Sequence, residues 1–99
     1  MFGKVIFVYA KCNYTVEMST AARKNLRKLD APIRNRITKW IEDNIVDCEN
    51  PRAHGKNWKE YPNANWRYRV GDYRIFVDIQ DDKIVIMVVK IDKRNDVYK

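Results

Sequence analysis

Apolar residues recur along this chain with two different periods, and each change of period marks an element. In residues 14–18, Tyr14, Val16 and Met18 alternate with Thr15 and Glu17, the two-residue repeat of a strand. Ser19 or Thr20 then offers an N-cap oxygen. Ala22, Leu26 and Leu29 fall on one face of a helix running to about residue 29, while Arg23, Lys24, Arg27 and Lys28 crowd the rest. Asp30-Ala31-Pro32 closes that helix and opens a second, because proline is tolerated in a first helical turn. Ile33, Ile37, Trp40, Ile41 and Ile45 give the second segment the strongest helical repeat in the chain, and the short break predicts an antiparallel helical hairpin. Residues 46–65 are irregular, with Pro51, Gly55 and Pro62 as breakers and Trp58 as an anchor. Strands are expected over 66–70, 73–80 and 83–91, separated by the turn pairs Gly71-Asp72 and Asp81-Asp82.

This order predicts an α+β fold: an N-terminal strand, an antiparallel helical hairpin, then a three-stranded antiparallel meander, with the helices packed on one face of the sheet. No repeat, linker or low-complexity block interrupts the 99 residues, so residues 1–99 are expected to form a single domain. The apolar start, Met1 to Ala10, is too short and lacks the cleavage site of a signal peptide. It either lengthens the first strand or adds another. No apolar run is long enough to span a bilayer, so no membrane partner of that kind is expected.

Charge narrows the partners. Twenty Lys and Arg against thirteen Asp and Glu leave a net charge of +7, which favours nucleic acid, an acidic protein or an anionic surface. Cys12 and Cys48 have no CxxC spacing and His54 is the chain's one histidine, so neither a disulfide framework nor a metal site is expected. Both thiols read as structural or incidental in a reduced, cytoplasmic protein.

The hairpin carries the sharpest chemical signal. With Gly71-Asp72 as a two-residue loop, Val70 faces Tyr73, Arg69 faces Arg74 and Tyr68 faces Ile75. Arg67, Arg69 and Arg74 then share one surface, joined by the apolar Phe76, Val85, Met87 and Val89. Like charges set directly opposite destabilise a sheet, so folding gives no reason for the arrangement; binding a phosphate does. The plainer reading is a solvated face neutralised by Asp72, Asp78 or Glu60. Arg94 and Tyr98 follow the last strand at the hairpin's end of the sheet. Beside several guanidiniums a tyrosine phenolate is stabilised, which makes Tyr98 a candidate general base. Trp58 reads as packing more than as a base-stacking platform, and the basic stretch from Arg23 to Lys39 as a solvated helix face or a nucleic-acid footprint.

The segments LRKLD, RITKWIEDNI, NPRAHGK, WRYRVGDYRIFVDI and KRNDVYK resemble the RelE branch of the RelE/ParE toxin superfamily. The likeness runs from about Tyr14 to the C-terminus; residues 1–12 have no counterpart in it. It implies a RelE-like fold and a toxin of a type II toxin–antitoxin system, a ribosome-dependent mRNA endoribonuclease needing neither metal nor cofactor. The implied partners are a RelB-like antitoxin, the ribosome and mRNA. Carried over by position, Tyr98 is the general base, Arg94 serves the leaving group or phosphate, and Arg74 stabilises the phosphate. Arg67, Arg69 and Lys93 bind substrate. Arg67 and Arg69 stand where relatives often have lysine, and Lys93 where many have histidine, so the proton donor is unassigned. A ParE-like gyrase inhibitor without ribonuclease activity and a non-catalytic RNA-binding module are the rival readings. The antitoxin is expected to bring an acidic or amphipathic helical segment over the mixed face, unless residues 1–10 cover it.

Overall fold

Ser19 ends the first strand and starts the first helix in one residue. Its Oγ accepts the Ala22 N–H at 3.0 Å and donates to the Val89 carbonyl at 2.8 Å, tying the cap to the strand beside it. The computed structural model describes residues 13–59 and 63–93. Chain order is β1 (Thr15–Met18), α1 (Thr20–Arg27), α2 (Ala31–Asn44), a 3-10 turn (Pro51–Ala53), β2 (Lys56–Asn57), β3 (Trp66–Val70), β4 (Tyr73–Gln80) and β5 (Val85–Lys93). The five strands lie in the order β1-β5-β4-β3-β2, with β1 parallel to β5 and the other pairs antiparallel.

Both helices cover one face of this sheet, as the repeats predict. Ala22, Ile37, Ile41 and Ile45 from the helical side meet Tyr68, Val70, Ile75, Val77, Ile79, Ile86, Val88 and Ile91 from the strands. Arg34 closes the helical hairpin by donating to the Leu29 carbonyl at 2.8 Å, and Asn25 Oδ1 accepts the Ile91 N–H at 3.1 Å. Among the described residues no helix is long and apolar enough to cross a membrane.

The last strand departs from the expected 83–91. Residues 81–84 form a longer turn, with Ile84 at φ 56°, because Asp81 is held by other partners. Its carboxylate accepts the Tyr14 hydroxyl at 2.7 Å and both arms of the Arg52 guanidinium at 3.1 and 3.0 Å. The strand also runs two residues further, and its register slips between Phe76 and Val77. Val77 pairs with Val88 and Phe76 with Lys90, which leaves Val89 as the extra residue of a bulge. Strict alternation would have turned Ile91 out and Lys90 into the core. The bulge reverses both: Ile91 is buried against the helices, and Lys90 instead of Val89 takes the place opposite Phe76.

Candidate active site

Open on the side away from the helices, the sheet carries the basic face. Pairing across the hairpin sets Arg67 opposite Phe76, Arg69 opposite Arg74 and Val70 opposite Tyr73, the register expected from the Gly71-Asp72 turn. Arg67, Arg69 and Arg74 therefore start from one surface, and Lys56 of β2 joins them opposite Arg67. Phe76, Val85 and Met87 share the face, again as expected. Phe76 is nevertheless only 5% exposed, because Trp58 lies over it with ring centroids 5.3 Å apart. Packing is thus the role of Trp58 in the fold, as the sequence favours.

The guanidiniums are held by aromatic rings. Arg67 sits 5.1 Å from the Trp58 ring centroid and Arg74 5.8 Å from that of Phe76. Among the described residues Arg74 Nε is buried with no hydrogen-bond partner, as is Trp58 Nε1. Of the acids that might neutralise the face, Asp78 accepts from Gln80 Nε2 at 2.9 Å, and Glu60 lies outside the described residues. The strand's extra length brings a different acid. Asp92 pairs opposite Arg74, with its carboxylate 3.7 Å from Lys90 Nζ. No periodicity signals this, because Asp92 faces Arg74 only through the bulge.

Not every expected residue joins the set. Lys93 pairs opposite Tyr73, so it springs from the helix-covered side of the sheet and not from the arginine face. Arg94 and Tyr98, like residues 1–12, lie outside the described residues. His54, which sequence left alone in a loop, is closer to the basic residues than its isolation suggested. A groove of about 330 Å³ beside β3 is lined by Trp40, His54, Gly55, Lys56, Arg67 and Arg69. The His54 ring meets Trp40 edge-on at 5.7 Å. Arg69 also reaches a second groove of about 440 Å³ against Arg36 and Lys39 of α2.

Local sequence explains how this loop comes so close. Trp66 Nε1 donates to the His54 carbonyl at 2.7 Å, and Gly55 adopts φ 85° with its backbone pressed on β3. A Cβ at Gly55 would stand 2.3 Å from the Arg67 carbonyl oxygen, so only glycine fits. Away from the basic face several titratable groups are fixed in structural roles. Burial pushes the Tyr68 phenol well up, and its hydroxyl donates to the Pro51 carbonyl. Burial likewise raises the Cys48 thiol, which makes it a poor nucleophile. The Arg52 fork, and after it the Tyr14 hydroxyl, holds the Asp81 carboxyl below its usual range. What remains for chemistry is a cationic, partly aromatic surface suited to an anion whose charge grows during reaction.

The sequence matches, over residues 16–98, the family described as the ParE toxin of type II toxin–antitoxin systems, parDE. It is 27% identical over 86 residues to Toxin RelG of Mycobacterium tuberculosis, covering 87% of this chain and 97% of RelG. Among solved structures, the RelBE2 toxin–antitoxin complex of M. tuberculosis contains a chain with TM-score 0.72 and 26% identity, over 85% of this chain and 94% of that one. The isolated Escherichia coli RelE toxin superposes with TM-score 0.64 at 25% identity, over 86% and 90% of the two chains.

Proposed function

Since the chain belongs to the RelE/ParE superfamily as a toxin of a type II toxin–antitoxin system, we propose that it cuts mRNA on the ribosome by metal-independent transesterification. The observation that carries this reading is the arginine face. Arg69 stands directly opposite Arg74, and Arg74 keeps a buried Nε with no hydrogen-bond partner among the described residues. An arrangement that costs folding energy on two counts (like charges opposed, a donor desolvated) is explained by a phosphate that answers both.

In the proposed reaction the RNA 2′-oxygen attacks the adjacent phosphorus. Its proton passes to Tyr98, and the bond from phosphorus to the 5′-oxygen breaks. The departing 5′-oxygen takes up a proton from water, and a 2′,3′-cyclic phosphate and a 5′-hydroxyl result. Arg67, Arg69 and Arg74 stabilise the dianionic phosphorane, where preorganised donors act most strongly. Arg94 serves the departing 5′-oxygen mainly as a charge, since a guanidinium with pKa above about 12 is a reluctant proton donor. The ribosome orients the RNA, because the chain offers little surface for reading base edges. A RelB-like antitoxin covers the same face in the resting complex, through an acidic or amphipathic helix suited to its mixed apolar and basic character.

The family match described as ParE favours one rival, inhibition of DNA gyrase without RNA chemistry. Purified ribosomes programmed with a defined mRNA separate the two. Primer extension after toxin addition is expected to show breaks inside the codon at the A site, with 2′,3′-cyclic phosphate ends. Intact mRNA together with stalled gyrase would replace the ribonuclease reading by the rival.

A further inference from the structure

Trp58 and Phe76 form a bridge between Arg67 and Arg74, two of the arginines assigned to the phosphate. Arg67 stands over Trp58 at 5.1 Å, Trp58 over Phe76 at 5.3 Å with the rings tilted by 51°, and Arg74 over Phe76 at 5.8 Å. Register puts Phe76 directly across from Arg67, and Arg74 two residues earlier on the same strand. The indole thus lies over a cross-strand pair whose neighbours are both guanidiniums.

The bridge is anchored from behind. The Trp58 N–H donates to the Asn65 carbonyl at 3.2 Å, and the Asn65 N–H donates to the Val77 carbonyl at 2.9 Å. The Asn65 side chain then closes a two-way pair with Ile79, accepting its N–H at 2.8 Å and donating to its carbonyl at 3.1 Å. These bonds fasten the segment bearing Trp58 to β4 at Val77 and Ile79, immediately after the point where the register slips. An exposed ring on a free loop would have no such fixings.

Charge explains why a ring suits this position. A carboxylate gripping Arg74 would fix its direction but cancel the charge a phosphate is to meet. The face of an aromatic ring attracts a guanidinium through its quadrupole and leaves the net positive charge in place. We propose that Trp58, through Phe76, is the positioning residue of the arginine face, holding Arg67 and Arg74 apart and aimed before any anion arrives. This rests on the ribonuclease reading for its purpose but not for its geometry.

The test reads geometry and rate separately. Trp58→Leu removes the ring and Trp58→Phe keeps one, while also deleting the buried indole N–H that has no partner among the described residues. Side-chain NMR of the arginine Nε–Hε groups in the free toxin is expected to show Arg67 and Arg74 as dispersed, ring-shifted signals in the wild type and the Phe variant. In the Leu variant those signals collapse toward solvent-exposed arginine. On programmed ribosomes, Trp58→Leu is expected to slow single-turnover cleavage by about 10²-fold, the cost typical of a misplaced group, with ribosome affinity unchanged. Trp58→Phe recovers most of that rate. Thermal melts of both variants identify any loss due to unfolding, and the Phe variant, folded and ring-bearing, keeps the comparison valid. Unmoved Arg67 and Arg74 signals in a folded Leu variant would overturn the inference. So would equal rate losses in both variants with unchanged signals, since the indole N–H would then be what matters. A wild type that shows the NMR pattern, loses it on Trp58→Leu and cuts no mRNA would uphold the positioning role and sink the ribonuclease reading.

Discussion

Arg69 and Arg74 face each other across the hairpin, so their interaction can be isolated by a double-mutant cycle with glutamine at each position. Paired residues in an antiparallel ladder have Cα atoms about 4.5–5.5 Å apart. Two guanidinium charges about 6 Å apart in a water-like medium repel by about 0.7 kcal/mol, within the roughly 0.2–1 kcal/mol of cross-strand pairs. Asp92, opposite Arg74 on its other flank, reduces the burden on Arg74 without reaching Arg69's strand. Arg69→Gln is therefore expected to stabilise the toxin by about 0.5 kcal/mol, or roughly 2–4 °C in Tm. Arg74→Gln is expected to be nearly neutral, because relief of repulsion is offset by the lost contact with Phe76, about 0.5–1 kcal/mol.

The cycle removes those separate terms and leaves the pair. Urea unfolding at pH 7 should give a repulsive coupling of roughly 0.2–1 kcal/mol. That coupling should fade between 50 mM and 1 M salt, as the screening length drops to about 3 Å. Inorganic phosphate at ten times its Kd should then stabilise the wild type by about 1.4 kcal/mol and the double variant by much less. Each single variant should also lose cleavage on the ribosome, by about 10²–10³-fold for a lost oxyanion partner. A coupling that is attractive, or one indifferent to salt, would refute the idea that the two cations are held together against their own repulsion.

Tyr98→Phe is expected to slow single-turnover cleavage by about 10²–10⁴-fold, the usual contribution of a general base, with ribosome binding nearly unchanged; a wild-type rate would move the base elsewhere. Asp81→Asn should lower Tm at neutral pH by about 2–8 °C, the loss of roughly 0.5–1 kcal/mol from a surface fork. Because the folded carboxyl titrates below its ordinary value, that stabilisation is complete above the unfolded pKa and fades as pH falls through the folded one. Melts of wild type and variant should therefore converge near pH 2, and a gap of undiminished size there would exclude the assignment. Gly55→Ala should cost about 1–3 kcal/mol by forcing a side chain into a left-handed conformation against β3, read as a lower urea midpoint; an unchanged midpoint would mean the loop can lift away freely.

Local patterns made the hairpin legible, and long-range ones hid the rest. Gly71 at φ 60° permits the tight turn, and the turn length alone sets Arg69 against Arg74. The helical stripes and the Ser19 cap were equally local, and both appear where the repeats put them. Strand β2 has only two residues, too few for any period to show. The bulge at Val89 depends on what lies across the sheet and beneath it, since Ile91 must reach the core while Lys90 must not. One extra residue there changes which side chains meet the arginines, bringing Asp92 opposite Arg74 and sending Lys93 to the other surface.

The same limit governs the aromatic bridge. Trp58 and Phe76 are eighteen positions apart, and nothing in either neighbourhood announces the contact. Hydrogen bonds from Asn65 to both neighbouring segments create it. Sequence could therefore show which cations share a surface, because that follows from the alternation of a strand. It could not show what holds them there, because that follows from a loop folding back. A ring attracts a guanidinium while leaving its net charge in place, so the contacts of Arg67 with Trp58 and of Arg74 with Phe76 do not neutralise the face. An acidic antitoxin segment and an RNA phosphate would then compete for the same guanidiniums on equal electrostatic terms, and the ordered competition between them is what a toxin held inactive by its partner requires.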